Sequence, residues 1–307
     1  MTDINSSLKT GNRLPPGERI IFILIQVAGY LSILFVGLIS LFLLKEGAPA
    51  LVNVPLNNLF STTWYPIENY FGILPLLAGS IVITLAAALL AVPLGVGTAV
   101  FISEIAPGWV NEILKPLVEI LAGFPSVVLG FIGILVLSPF FRISLNLPTG
   151  LTAFTGAVLL GWAAIPTIVS VAEDALKDVP QSYRHASIAL GATRWQTIWG
   201  VTLPAARTGV INAVMLGIGR VIGETMAVMM VTGNAPIMPS GLQAIFMPAR
   251  TMTATIASEM GEVASGSTHY QVLFFIGITL FLLSLAINIA VFYSTSHRMK
   301  HSERLLS

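Results

Sequence analysis

Arg220 and Glu224 stand in the middle of a long apolar stretch, Gly217-Ile218-Gly219-Arg220-Val221-Ile222-Gly223-Glu224-Thr225-Met226-Ala227. An unpaired Arg at the centre of a bilayer costs at least about 2.5–3.5 kcal/mol, so an Arg here calls for a partner. The i, i+4 spacing puts both side chains on one face of a helix, where they can pair. Arg cannot shed its charge, which makes Glu224 the local neutraliser. A permanent guanidinium with fork geometry suits a passing oxyanion, and Glu224 would hold it between passages. The alternative is an ion pair that only specifies helix packing. Gly219-x-x-x-Gly223 reads separately as a small-residue face for close helix approach. With Gly217 it superficially matches a dinucleotide fingerprint, but no strand precedes it and the surroundings read as membrane helix.

Other chemistry is missing. No G-x-x-x-x-G-K-[ST] loop occurs, so the chain has no Walker-type phosphate cradle of its own. Any ATP-driven step needs a separate ATPase subunit to hold ATP and Mg. No H-E-x-x-H or G-x-S-x-G occurs, and the cysteine count of 0 excludes thiolate zinc sites, Fe–S clusters and disulfides. The histidines His185, His269, His297 and His301 are scattered. No catalytic residue, metal site or cofactor is therefore assigned to this chain. Glu173, Asp174, Asp178 and His185 gather in one loop, but without acid/base or metal spacing they read as a solvated face. A membrane-embedded transferase or protease is the remote alternative.

The elements that position these residues follow from composition. Of 307 residues, 55% are hydrophobic and only 9% are charged, too few to build a polar shell. A net charge of +1, without a basic stripe, argues against nucleic-acid binding. Charges partition the chain into six apolar stretches, predicted as helices over 20–44, 73–102, 116–138, 151–172, 208–232 and 270–293. Helix is the form in which a span satisfies its own backbone in lipid. The reading is an all-α polytopic membrane protein with six transmembrane helices. The first stretch is about 37 Å long as a helix, against about 30 Å of hydrocarbon, and is longer than a secretory signal core.

With the N-terminus inside, the inner segments carry Lys9, Arg13, Arg19, Lys115, Lys177, Arg184, Arg194, Arg207, Arg298, Lys300 and Arg304. The outer ones carry only Lys45, Arg142 and Arg250. This satisfies the positive-inside rule with both termini cytoplasmic. The organisation is a cytoplasmic tail over 1–19, a transmembrane domain over 20–295 and a cytoplasmic tail over 296–307. The domain includes a cytoplasmic loop over 173–207 and an external loop over 233–269. Trp64, Tyr65 and Tyr70 suit an outer interfacial belt. Pro93, Pro125 and Pro166 fall inside apolar spans, where each removes a backbone donor.

The cytoplasmic loop reads EDALKDVPQSYRHASIALGATRWQTIWGVTLP. Pro180 suits a first helical turn. Gly191 suits a helix C′ position with φ > 0. Thr193-x-x-Gln196 reads as a capping box that starts a second short helix, which Pro204 ends. The result is helix, glycine turn, helix. A plain amphipathic interfacial helix is the bland alternative.

This loop resembles the signature of ABC-importer permeases, written EAA, three residues, G, nine residues, I, one residue, LP. Here it reads His185-Ala186-Ser187, Gly191, then Val201-Thr202-Leu203-Pro204. His185 replaces the leading Glu and Ser187 the second Ala. In the family this loop docks in a groove of the ATPase. With His185 in place of Glu, the resemblance gives Tyr183, Arg184 and Trp195 a share of that contact.

Further stretches are similar to the phosphate-specific branch of the family, its PstC-type permeases. They are Phe71-Gly72-Ile73-Leu74-Pro75, Ala91-Val92-Pro93-Leu94-Gly95, Ser103 to Trp109, Phe124 to Gly130, the Gly219-Arg220 to Ala227 block, and Gly233-Asn234. The resemblance covers about 20–295. It implies the type I ABC importer permease fold, an inner-membrane location, and inorganic phosphate as cargo. The implied partners are a PstA-like second permease forming a heterodimer, a PstB-like ATPase dimer and a PstS-like phosphate-binding protein. The family's transport-linked Arg and Glu map onto Arg220 and Glu224. Sulfate, molybdate or phosphonate as cargo stays open at this point.

Overall fold

A computed structural model describes residues 16–303, with side chains described over 18–289 except that of residue 242. Lys9, Arg13 and Arg304, which enter the topology count, lie outside the described residues, as do the ends of both predicted tails. In chain order the structure has α1 (Pro16–Gly47), a hairpin of β1 (Trp64–Tyr65) and β2 (Tyr70–Phe71), α2 (Leu74–Val100) and α3 (Gly108–Ala122). Then follow α4 (Ser126–Ile132), α5 (Ser138–Ser144), α6 (Ala153–Lys177), α7 (Gln181–Ala189) and α8 (Arg194–Thr197). The chain continues with α9 (Arg207–Gly223), α10 (Met226–Val231), α11 (Met252–Glu259) and α12 (Thr268–Glu303). Turns of π-helix extend α2 over Phe101–Ile105, join α4 to α5 over Gly133–Leu137, and follow α8 over Ile198–Thr202.

Among the described residues, 5 helical stretches are long and apolar enough to cross a bilayer: Glu18–Asn53, Leu74–Ile105, Ser126–Ser144, Ala153–Lys177 and Thr268–Ile289. A sixth arises from Arg194–Ala205 and Arg207–Gly223, bent by 73° where they meet. The all-α, six-span reading holds, with three boundaries redrawn. The predicted helix over 116–138 is two helices, because Gly123-Phe124-Pro125 interrupts it. Pro125 has no N–H to donate and disfavours helix at Phe124. It precedes α4 rather than sitting inside a span, whereas Pro93 and Pro166 do lie inside α2 and α6. The fourth helix runs past Glu173 to Lys177, since Glu173 is paired and only 2% exposed. The predicted helix over 208–232 stops at Gly223 and restarts at Met226.

Spans α2, α6 and α9 form the centre of the bundle. Small residues let their backbones approach: Ala87 and Ala91 of α2 meet Ala157, Ala164 and Ile168 of α6, with Val221 of α9 in the same cluster. Ile168 is wedged between Gly95 and Gly217. A Cβ on Gly95 would lie 2.8 Å from Ile168 Cγ2, and one on Gly217 would collide with Ile168 Cγ1. The face expected to give close approach, Gly219 and Gly223, meets nothing within 4 Å in this chain.

Helix α1 exposes apolar side chains all round, Ile25 and Ile33 among them, as suits lipid. It contacts the chain through α12, where Phe42 meets Phe274 edge to face at 5.5 Å. The predicted external loop over 233–269 is partly buried rather than simply exposed. Met252, Ala254 and Thr255 of α11 are fully covered, and Met252 N–H donates to Ser80 Oγ of α2 at 2.9 Å. Trp64 departs from the interfacial belt: it is 4% exposed and packs with Phe71 and Leu273, while Tyr65 and Tyr70 are exposed.

Candidate functional site

Arg220 lies in the last turn of α9 and reaches across to two other elements. Its Nη1 donates to Thr167 Oγ1 on α6 at 3.0 Å. Its Nη2 donates to the Ala122 carbonyl at 3.4 Å. That carbonyl ends α3, where unpaired C=O groups and the negative helix end favour a cation. Among the described residues, no carboxylate lies within 4.0 Å of this guanidinium. The predicted Arg220–Glu224 ion pair is therefore not formed.

The reason is local. The i, i+4 geometry needs helix through both residues, but α9 ends at Gly223 and Glu224 is extended, φ −71° and ψ 129°. Glu224 turns to the start of α10 instead. Its Oε1 accepts the N–H groups of Thr225 at 3.1 Å and Ala227 at 3.4 Å. Its backbone carbonyl accepts from Thr253 Oγ1 at 3.1 Å, which ties the break to α11. A carboxylate at a helix start satisfies orphan N–H groups and meets the positive helix end. The two residues thus hold opposite sides of one helix break. Gly223, a poor helix former, is the last helical residue before it.

The loop over 173–207 has the predicted helix–turn–helix form. Pro180 precedes α7, and Gly191 has φ +85°. Gly191 N–H donates to Ile188 O at 2.9 Å and Ala192 N–H to Ser187 O at 3.2 Å, a Schellman ending. The capping box is complete: Gln196 N–H donates to Thr193 Oγ1 and Thr193 N–H to Gln196 Oε1. Tyr183, His185, Ala186 and Trp195 are exposed, Ser187 is half-buried and shares a 3.0 Å hydrogen bond with Thr197. Val201 and Leu203 are half-buried and Pro204 is exposed, at the bend into α9.

Arg184 differs from its neighbours. The sequence places it with Tyr183 and Trp195 on the surface offered to a partner, but it turns inward. Its Nε and Nη2 donate to Glu104 Oε2 and Oε1 at 3.2 and 2.6 Å. Nη2 also reaches Leu176 O at 2.8 Å, and Nη1 donates to Val179 O. Its side chain is 11% exposed, so it is spoken for within the chain.

Glu173 accepts from Lys115 Nζ at 3.0 Å and pairs with Lys177, which pins α3 to α6. The hydrogen bond to Glu173, outweighing partial burial and helped by Asp174, raises the Lys115 pKa above its usual value. At the opposite end Glu259 is held by Arg250 at 2.7 Å, His269 at 2.8 Å and the Trp64 indole N–H at 3.2 Å. Burial opposes its ionisation, but the His269 hydrogen bond and the Arg250 charge together hold the carboxyl below its usual range. Sequence reasoning missed Thr167, Glu104 and this Glu259 cluster. Thr167, Glu104 and Trp64 lie 53, 80 and 195 residues from Arg220, Arg184 and Glu259, beyond any local pattern.

Known proteins share both the sequence and the architecture. Residues 91–298 match the family described as binding-protein-dependent transport system inner membrane component. The probable ABC transporter permease protein YqgH of Bacillus subtilis is 40% identical over 265 residues, covering 85% of each chain. The phosphate transport system permease protein PstC of Xylella fastidiosa is 31% identical over 303 residues, covering 92% of each. A chain of the inward-facing MetNI methionine ABC transporter superposes with a TM-score of 0.57 at 20% identity, covering 76% of this chain and 99% of that one. The last likeness shows the fold alone. The bent sixth span, the signature turn at Gly191 and these matches meet in one conclusion: the chain belongs to the family of binding-protein-dependent transport system inner membrane components.

Proposed function

We propose that this chain is the permease subunit of an ATP-driven importer of inorganic phosphate, working by alternating access. Its termini are cytoplasmic, and its loop over 173–207 docks on a PstB-like ATPase dimer that holds ATP and Mg. A PstA-like permease completes the heterodimer, and a PstS-like binding protein delivers phosphate to the opposite face. A 31% identity that extends over 92% of the chain to a phosphate transport system permease protein supports the cargo.

The observation that carries the path is the state of Arg220. Its guanidinium is held by a hydroxyl and a carbonyl rather than by a carboxylate, so its charge is left for an anion. Exposed Gly219 and Gly223 flank it on a face unpacked within this chain, as a path shared with a second permease requires. Glu224 contributes by fixing the helix break, not by neutralising Arg220. The YqgH name carries no cargo, which keeps another oxyanion as the second reading.

Arg220→Gln tests it. With membrane insertion confirmed, labelled phosphate uptake should fall at least about tenfold, the weight of one charge-assisted contact. Wild-type uptake in that variant removes Arg220 from the path. Uptake of sulfate or molybdate but not phosphate by the intact complex selects the second reading.

A further inference from the structure

Helix α7 buries none of its residues, so apolar packing does not hold it against the spans. Among its side chains, Arg184 turns inward to the spans while Tyr183 and His185 on either side stay exposed. Its fork is bidentate on Glu104, at 3.2 and 2.6 Å, and the Arg184 and Glu104 side chains are 11% and 9% exposed. Glu104 belongs to the π turn Phe101–Ile105 that ends the α2 span. The same guanidinium takes the Leu176 carbonyl at the end of α6. One side chain therefore joins α7 to two spans that pack against each other in the centre of the bundle.

Two further features distinguish this tie from simple loop anchoring. A π turn inserts an extra residue and re-aims those after it, and such turns recur at functional sites. Beside the pair is a cavity of about 520 Å³, bordered by Ser103, Lys177, Gln181, Ile188 and Thr197. Space on that side leaves α7 room to shift as a body, with Arg184 as its link to the spans.

We propose that the Glu104–Arg184 pair is the tie through which movement of α7 reaches the membrane-spanning helices. The inference rests on the reading that the loop over 173–207 docks on the ATPase. A fork-to-fork contact fixes direction as well as distance, so a pull on α7 is delivered to the ends of α2 and α6 together. Glu104 and Arg184 are positioning residues: neither touches the cargo.

The complete importer in proteoliposomes, with its binding protein and labelled phosphate, tests the tie. Glu104→Gln should assemble and hydrolyse ATP while phosphate moved per ATP falls about tenfold, a typical coupling factor. Glu104→Asp should recover part of that ratio. A purely structural role would lower hydrolysis and uptake together. Arg184→Lys, which keeps the charge and loses the fork, serves where Glu104→Gln does not assemble, and should give an intermediate ratio. A wild-type ratio in either assembled variant overturns the proposal. Because the natural chain has 0 cysteines, Ser182→Cys reports docking separately through crosslinking to a cysteine on the ATPase. Absence of that crosslink sinks the docking reading. A crosslink with an unchanged ratio in Glu104→Gln sinks the tie alone.

Discussion

Replacing Gly191 isolates a single backbone angle. Its φ of +85° lies in the left-handed region, and a Cβ there would meet nothing within 4 Å. Steric exclusion by neighbours therefore plays no part; the cost is the conformation itself. For Ala that cost is about 1–2 kcal/mol, and a β-branched side chain moves it toward about 3 kcal/mol. Because α7 has no buried residue, no packing energy offsets this loss. A penalty of one to two kcal/mol lowers the population of the formed turn about 5–30-fold. Asn tolerates the left-handed region, so damage should rise in the order Gly, Asn, Ala, Val. Phosphate uptake per ATP hydrolysed, measured in proteoliposomes, reads the series. Full coupling in Gly191→Val would falsify the turn argument. Equal damage by Asn and Val would show that the loss is of volume and not of backbone freedom.

Packing and pH supply two more expectations. Gly217→Ala should lower the thermal midpoint of the purified chain, since overpacking against Ile168 costs about 1–3 kcal/mol. Ile168→Ala in the same chain should restore part of it; strictly additive losses would show that the two sites do not touch. Glu259 has a folded pKa below its usual 4.5, so its contribution is complete above pH 4.5 and is lost as pH falls through the lower folded value. The stability gap between wild type and Glu259→Gln should be wide at neutral pH, about 1.5–3 kcal/mol for a half-buried, charge-assisted hydrogen-bond cluster. It should narrow as pH falls below 4.5. A gap that stays constant down to pH 3 contradicts the ion-pair account.

The spans were legible because lipid imposes one rule on the backbone and because charge is scarce enough to mark their ends. Errors arose where a charge or a proline means two things. Glu173 reads as a helix end by composition, yet Lys115 and Lys177 neutralise it and α6 runs on to Lys177. Pro125 reads as a kink inside a span, but with Gly123 it makes a full break. Trp64 reads as an interfacial anchor by type. It is buried because Glu259, far along the chain, offers its indole an acceptor.

Arg220 shows the limit most clearly. Residue type fixed the problem, a charge in an apolar setting that must be stabilised, but spacing named the wrong partner. A helix assumed continuous brings Glu224 beside Arg220; a helix ending at Gly223 turns it away. The break changes the chemistry as well as the geometry. A neutralised pair has little attraction for an anion. A guanidinium held by Thr167 and by the carbonyl end of α3 keeps its full charge while its donors stay oriented. Both holders are themselves products of breaks or close packing: Ala122 is freed by the Gly123-Phe124-Pro125 interruption, and Thr167 adjoins Ile168, which α9 clasps through Gly217. Charge retention at Arg220 is thus a consequence of three local sequence events, the helix end at Gly223, the Gly123-Phe124-Pro125 interruption and the bare Gly217, acting through elements that meet only in the fold.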